Sequence, residues 1–65
     1  MELTKEELLN IFGSISLAAD ELGRSRQSVY QGIDNEMCSE QLTDRVLAFL
    51  LRNGRQDEIP DRFMR

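Results

Sequence analysis

The chain has 65 residues, 40% of them hydrophobic, and a formal charge of −4 at pH 7. It contains no histidine, which excludes imidazole catalysis and histidine-containing metal sites, and its one cysteine excludes an internal disulfide and favours a reducing compartment. No apolar run has the length of a membrane span and no signal-peptide pattern opens the chain. We therefore expect one small cytoplasmic domain that binds a partner and has no cofactor, no metal and no catalytic residues.

The N-terminal third predicts two short helices. Thr4 and Glu7 fit a capping box, and apolar residues follow at helical spacing until Gly13. Ser14 fits the cap of a second helix, which Gly23 ends. The core residues predicted from this part of the chain are Leu8, Phe12, Ala18, Ala19 and Leu22.

The middle of the chain predicts a third helix, a loop and a fourth helix. Ser25 fits the cap of a helix over about residues 25–33, and residues 34–39 break the periodicity. Ser39 fits the cap of a helix that ends near Asn53. The core residues predicted from this part are Val29, Ile33, Leu42, Val46, Phe49 and Leu50.

The predicted fold class is all-α, because no period-two alternation indicates a strand. Four helices form a domain over residues 1–54, and a polar tail follows over residues 55–65. Pro60 fits the start of a further helical turn, which would be a fifth element.

Helices two and three have the spacing of a helix-turn-helix. A small residue in the first helix lets the second approach, a glycine makes the turn, and an apolar residue of the second helix fills the joint. Ala19, Gly23 and Val29 supply these three features. An ordinary helical hairpin explains the same three residues, so the side chains that face outward decide between the two interpretations.

The polar residues around this turn are suited to DNA. Between residues 24 and 33 there is no acidic residue, although the chain has twelve. Arginine and glutamine form bidentate hydrogen bonds with guanine and adenine in the major groove. The residues concerned are Arg24, Ser25, Arg26, Gln27, Ser28, Tyr30 and Gln31.

The segment FGSISLAADELGRSRQSVYQ resembles the first three helices of the phage Cro repressors. The resemblance implies a lambda-repressor-like domain and a transcriptional repressor, encoded by a phage or prophage and acting in the bacterial cytoplasm. It further implies a double-stranded DNA operator, read in the major groove by helix three. The repressor would bind a palindrome as a homodimer that is weak in free protein.

The resemblance also implies a role for each site residue. The start of the second helix, with Ser14, Ile15 and Ser16, would face a phosphate of the DNA backbone. Arg26 would contact guanine, and Arg24 would hold a phosphate. Two residues depart from the pattern, since related sequences often have an apolar residue at position 24 and a large side chain at position 32, where this chain has Gly32.

The acidic charge of the chain lies outside the predicted reading helix. Residues 24–33 carry two arginines, and residues 45–65 carry five arginines against three acids. Acids on a distant face are largely screened at physiological salt, because the Debye length is about 8–10 Å. The local charge therefore favours DNA in spite of the net charge.

A different function class, a protein-interaction module of antirepressor or antitoxin type, also fits an acidic helical domain. Its contacts would be Tyr30, Met37 and Cys38, although Met37 and Cys38 also fit core positions beneath the loop. Salt-dependent binding to DNA separates the two functions.

The apolar residues of the tail allow two interpretations. Ile59 and Phe63 either fold back over helix one, or form a two-fold interface together with helix four. In the second case a chain ending at Asn53 would stay helical and lose cooperative binding. The further residues of that interface would be Leu47, Leu51, Arg52, Arg55, Arg62, Met64 and Arg65.

Overall fold

Four helices and a two-stranded sheet make up the fold in the computed structural model, which describes residues 1–64. No helix among these residues has the length and apolar character needed to cross a membrane. The elements in chain order are α1 (Lys5–Phe12), α2 (Ile15–Leu22), α3 (Arg26–Gln31), β1 (Ile33–Asp34), β2 (Met37–Cys38) and α4 (Glu40–Arg52), followed by 3-10 turns at Gln56–Glu58 and Asp61–Phe63.

The predicted caps begin all four helices. Thr4 and Glu7 form the full capping box, with hydrogen bonds of 2.9 and 3.0 Å. The hydroxyls of Ser14, Ser25 and Ser39 each accept from the amide three residues on, at 3.1 Å. Each such cap contributes about 1 kcal/mol, so the helix starts are encoded locally.

The expected loop over residues 34–39 is a β-hairpin, and the all-α prediction is wrong in this respect. Asn35 and Glu36 both have positive φ angles, of 52° and 67°, as a two-residue type I′ turn requires. The N-terminal residues extend the pairing, because the Cys38 amide donates to the Leu3 carbonyl at 2.8 Å and the Lys5 amide to the Glu36 carbonyl at 2.9 Å. The sheet thus ties the chain's start to the segment between α3 and α4.

The core agrees with most of the predicted residues. Three of the predicted core residues, Leu22, Ile33 and Phe49, are only half-buried at the edge of the core. The other predicted core residues are buried, namely Leu8, Phe12, Ala18, Ala19, Val29, Leu42, Val46 and Leu50. The structure adds four buried residues, namely Leu3, Ile15, Thr43 and Ile59. The core position of Cys38 is confirmed, while Met37 is exposed.

Helix α3 ends at Gln31, with Gly32 as its C-cap, and is therefore shorter than the predicted helix over about residues 25–33. The Gly32 backbone lies against α4, and a Cβ placed on it would be 3.0 Å from the Leu42 Cδ2 and 3.2 Å from the Leu42 Cβ. Its φ of −84° needs no glycine, so the close approach of α4 is what favours the absence of a side chain. The departure at position 32 is therefore a packing feature of this chain.

The tail folds back onto the same chain. Ile59 is buried and Phe63 packs against the core. Arg55 donates to the Ile11 carbonyl at 3.2 Å, while Arg62 donates to the Glu7 carboxylate and to the Glu2 carbonyl. Ile59 is thus covered by its own chain, and truncation at Asn53 would remove this packing from the core. Arg65 lies outside the described residues.

Candidate nucleic-acid interface

The turn between α2 and α3 is built by Gly23. Gly23 has the left-handed conformation (φ 69°, ψ 35°) that glycine adopts without a Cβ penalty. Its amide donates to the Asp20 carbonyl at 3.2 Å, and the Arg24 amide donates to the Ala19 carbonyl at 2.9 Å. These two bonds form a Schellman motif, which ends α2 and directs the chain into α3 after three residues.

The two faces of α3 differ in chemistry. Val29 is fully buried on the inner face. Arg26, Gln27, Tyr30 and Gln31 are all exposed on the outer face, and Tyr30 is 56% exposed although its ring is apolar. The predicted reading residues are therefore presented together to solvent by one short helix.

Arg24 and Ser28 form a pair on this surface. The Arg24 Nη1 donates to the Ser28 hydroxyl at 3.0 Å, across one turn, and both residues are half-buried. At position 24, where the resemblance predicts an apolar residue, the chain thus has a guanidinium held along α3. Ser28 orients Arg24, which leaves Ser28 less accessible than the other predicted site residues.

The starts of α2 and α3 are free of acids. The first turns of α2 and α3 contain no acidic residue, whereas those of α1 and α4 contain Glu6, Glu7 and Glu40. Unpaired amides at a helix start carry partial positive charge and attract anions. Ser14 caps α2 and Ser16 is exposed in its first turn, so both hydroxyls lie at an electropositive end.

A cleft of about 360 Å³ separates α3 from the start of α4. Arg24, Ser28 and Gln31 line it from one side, and Gln41 and Arg45 from the other. None of its lining residues is acidic. The two guanidiniums make the cleft a place where an anionic group is favoured.

The structure brings most of the predicted residues to one surface. Arg24, Ser28 and Gln31 line the cleft, Ser25, Arg26, Gln27 and Tyr30 extend from it along α3, and Ser14 and Ser16 lie at the start of α2. Ile15 of the predicted backbone contact is buried, so it can offer its amide but not its side chain.

Gln41 and Arg45 are the residues that the sequence did not indicate. They lie four apart on the exposed side of α4, which is a common spacing for solvated residues. Only the packing of α4 behind α3 brings them to the cleft. Residue type alone carried no signal for them.

Comparison of the chain with family models, with curated proteins and with solved structures gave no match.

Proposed function

We propose that this chain is a sequence-specific DNA-binding repressor of Cro type, with a lambda-repressor-like domain that inserts α3 into the major groove of an operator. One observation carries the proposal: α3 exposes Arg26, Gln27, Tyr30 and Gln31 together, with no acid among them, in a chain of net charge −4. Each of the other three helices contains two acidic residues.

The proposed contacts are of two kinds: contacts to phosphates, which position the protein on the DNA, and contacts to base edges, which read the sequence. The amides at the start of α2, with Ser14 and Ser16, bind a backbone phosphate, and Arg24 binds a second phosphate. Arg26 and Gln27 read base edges, since a guanidinium fits the O6 and N7 of guanine and a carboxamide fits adenine. Tyr30 and Gln31 contact bases or flanking phosphates one turn later.

The acidic remainder of the surface affects affinity more than specificity. Non-specific binding depends on the number of phosphates that the protein neutralises, and few arginines lie at this face. We therefore expect weak binding to random DNA and a shallow salt dependence. Discrimination between sequences then depends on the bidentate contacts.

The test begins with selection of a binding site from random DNA, followed by fluorescence anisotropy at several salt concentrations. Arg26→Ala and Gln27→Ala should each cost about 1–3 kcal/mol on the selected site and relax the preference at one position. Arg24→Ala should weaken all sequences alike and lower the salt slope by about one phosphate.

Two matched variants sharpen this test. Arg26→Lys keeps the charge and loses the fork geometry, so it should keep the salt slope and lose base preference. Gln56→Ala removes an exposed glutamine remote from α3 and should bind normally. If Arg24→Ala changes base preference while Arg26→Ala does not, the placement of α3 in the groove is wrong.

The interaction module remains the second candidate because Tyr30 and Met37 are exposed. Cys38 is buried and leaves that candidate surface smaller than expected. Failure of the selection to enrich any sequence at low salt favours this candidate.

A further inference from the structure

Asn53 and Gly54 form the junction between α4 and the tail, and both residues are exposed. The amide nitrogen of the residue after an asparagine can attack the asparagine side-chain carbonyl, and glycine has no Cβ that obstructs the approach. The other asparagines, Asn10 and Asn35, precede isoleucine and glutamate, whose side chains obstruct the same attack. Asn53 is therefore the asparagine whose sequence context most favours cyclisation.

The folded junction holds the reacting atoms apart. Asn53 is the C-cap of α4 with ψ 10°, which places the Gly54 nitrogen on the side of the Asn53 nitrogen, whereas ring closure needs it beside the Asn53 Cβ. The Gly54 amide donates to the Leu51 carbonyl at 3.3 Å, and the Asn53 Nδ2 donates to the Phe49 carbonyl at 2.8 Å. Cyclisation must break both hydrogen bonds and rotate ψ, so Asn53 does not react while the cap is formed.

The tail keeps this cap closed. The Arg55 amide donates to the Leu50 carbonyl at 2.8 Å, which completes a Schellman motif around Gly54, where φ is 68°. The Arg55 side chain donates to the Ile11 carbonyl at 3.2 Å, and its guanidinium lies 5.7 Å from the centre of the Phe49 ring. Because Arg55 is held by both its backbone and its side chain, rotation at the junction requires the tail to move away from α1.

We propose that Asn53–Gly54 is a site of spontaneous deamidation that reacts only when the tail has detached from α1. The Gly54 nitrogen loses its proton to solvent and forms a bond with the Asn53 Cγ. The Cγ–Nδ2 bond then breaks, and the nitrogen leaves as ammonia after it takes a proton from solvent. Water opens the resulting imide at one of its two carbonyl–nitrogen bonds, which gives either aspartate or an isoaspartate whose main chain runs through the former side chain.

Conversion prevents the tail from docking again as before. Both products lack the Nδ2 that donates to the Phe49 carbonyl, and both place a carboxylate at the end of α4, where it opposes the helix dipole. Isoaspartate also lengthens the main chain between α4 and Arg55 by one carbon, so the hydrogen bonds of the Schellman motif lose their register. We expect the tail, including the buried Ile59, to leave the core in this product.

Comparison of the folded and the unfolded chain tests the site and its protection. The natural chain is kept in mildly alkaline buffer with and without guanidinium chloride, and peptide mapping by mass spectrometry follows each asparagine. Asn53 should convert faster than Asn10 and Asn35 in the unfolded chain. It should convert roughly tenfold or more slowly in the folded chain, because only the open population reacts. Equal rates in the two states overturn the protection, and absence of conversion in the unfolded chain overturns the site.

A variant remote from the junction tests the role of the tail. Arg62 donates to the Glu7 carboxylate and to the Glu2 carbonyl, so Arg62→Ala should loosen the tail and raise the conversion rate of the folded chain by roughly fivefold. Lys5→Gln removes a positive charge from α1 instead, and it should leave the rate unchanged. Equal rates for Arg62→Ala and the natural chain overturn the dependence on the tail, and an equal increase in Lys5→Gln assigns the effect to net charge and overturns it as well.

The isolated product tests the consequence of conversion. Anion exchange separates it from the unreacted chain, because conversion adds a negative charge. Trypsin should cleave after Arg55 and Arg62 roughly fivefold faster in the isoaspartyl product than in the natural chain, since the tail is no longer docked. Asn53→Asp carries the same charge on a main chain of natural length and should be cleaved more slowly than the isoaspartyl product. An isoaspartyl product that is cleaved at the natural rate overturns the release of the tail.

Discussion

At the scale of single residues, the hairpin turn carries backbone strain. Asn35 and Glu36 both lie in the left-handed region, which asparagine tolerates because its short side chain bonds locally. Glutamate has no such compensation, and its Cβ costs about 1 kcal/mol there. Glu36 contributes to the sheet through its carbonyl, which any residue supplies.

Glu36→Gly should therefore stabilise the domain by roughly 0.5 kcal/mol, because the relief of about 1 kcal/mol of strain exceeds the roughly 0.5 kcal/mol cost of the added freedom of the unfolded chain. Urea unfolding followed by circular dichroism measures this change. Glu36→Ala removes the carboxylate and keeps the Cβ, so it should give no gain. If Glu36→Ala gave a similar gain in stability, the loss of the charge and not the relief of backbone strain would explain the effect of Glu36→Gly.

At the scale of elements, the caps and helix bounds could be predicted because their signals are local. Ser14, Ser25 and Ser39 each precede a helix that begins one residue later. The hairpin could not be predicted, because two-residue strands are too short for an alternating pattern and the turn lacks the usual glycine. Leu3 was missed for a related reason, since its burial depends on pairing with β2.

The candidate site likewise has one part that the sequence indicates and one part that it does not. The exposed residues of α3 follow from one helix and its buried Val29, so sequence alone indicates them. The cleft needs the position of α4 relative to α3, which depends on the close contact of Gly32 with Leu42. The sequence suggested only that Gly32 weakens α3 or ends it early.

Val29 supplies the sharpest test of how α2 and α3 are joined. Val29→Asp buries an unpaired charge at a fully buried position, and it should unfold a domain whose total stability is roughly 3–10 kcal/mol. Tyr30→Asp changes the next residue, which is exposed, and should leave the far-ultraviolet circular dichroism spectrum unchanged. Equal melting temperatures for Val29→Asp and natural protein would contradict the buried joint.

At the scale of the whole molecule, one ion pair joins the two ends of the chain. The pKa of Glu7 is lowered from 4.5 to about 2, chiefly by the hydrogen bonds from Arg62 and to a smaller extent by the cap bond from the Thr4 amide, against the effect of burial, which raises it. The folded pKa is below the unfolded one, so this contribution to stability is present above about pH 4.5. It is lost as the pH falls towards 2.

Glu7→Gln should cost about 1 kcal/mol at pH 7, because the amide oxygen keeps the cap bond and only the ionic contact is lost. The difference from the natural chain should shrink between pH 4.5 and pH 2. Thermal melts across this range measure it. Glu6→Gln removes an acid from the same helical turn without an ion pair, and a similar pH dependence in that variant would contradict the role of Arg62.

The contact between Arg62 and the Glu2 carbonyl gives the chain nearly the topology of a ring. The contacts of α1 with α2 and of α2 with α3 join residues close in sequence, whereas this closure spans almost the whole chain. Closing so long a loop costs about 3–4 kcal/mol of chain entropy, which short-range contacts do not incur. We therefore expect the tail to dock late in folding and to detach first in unfolding. Joining the two ends of the chain by a short peptide linker would remove that entropic cost and lower the rate of unfolding.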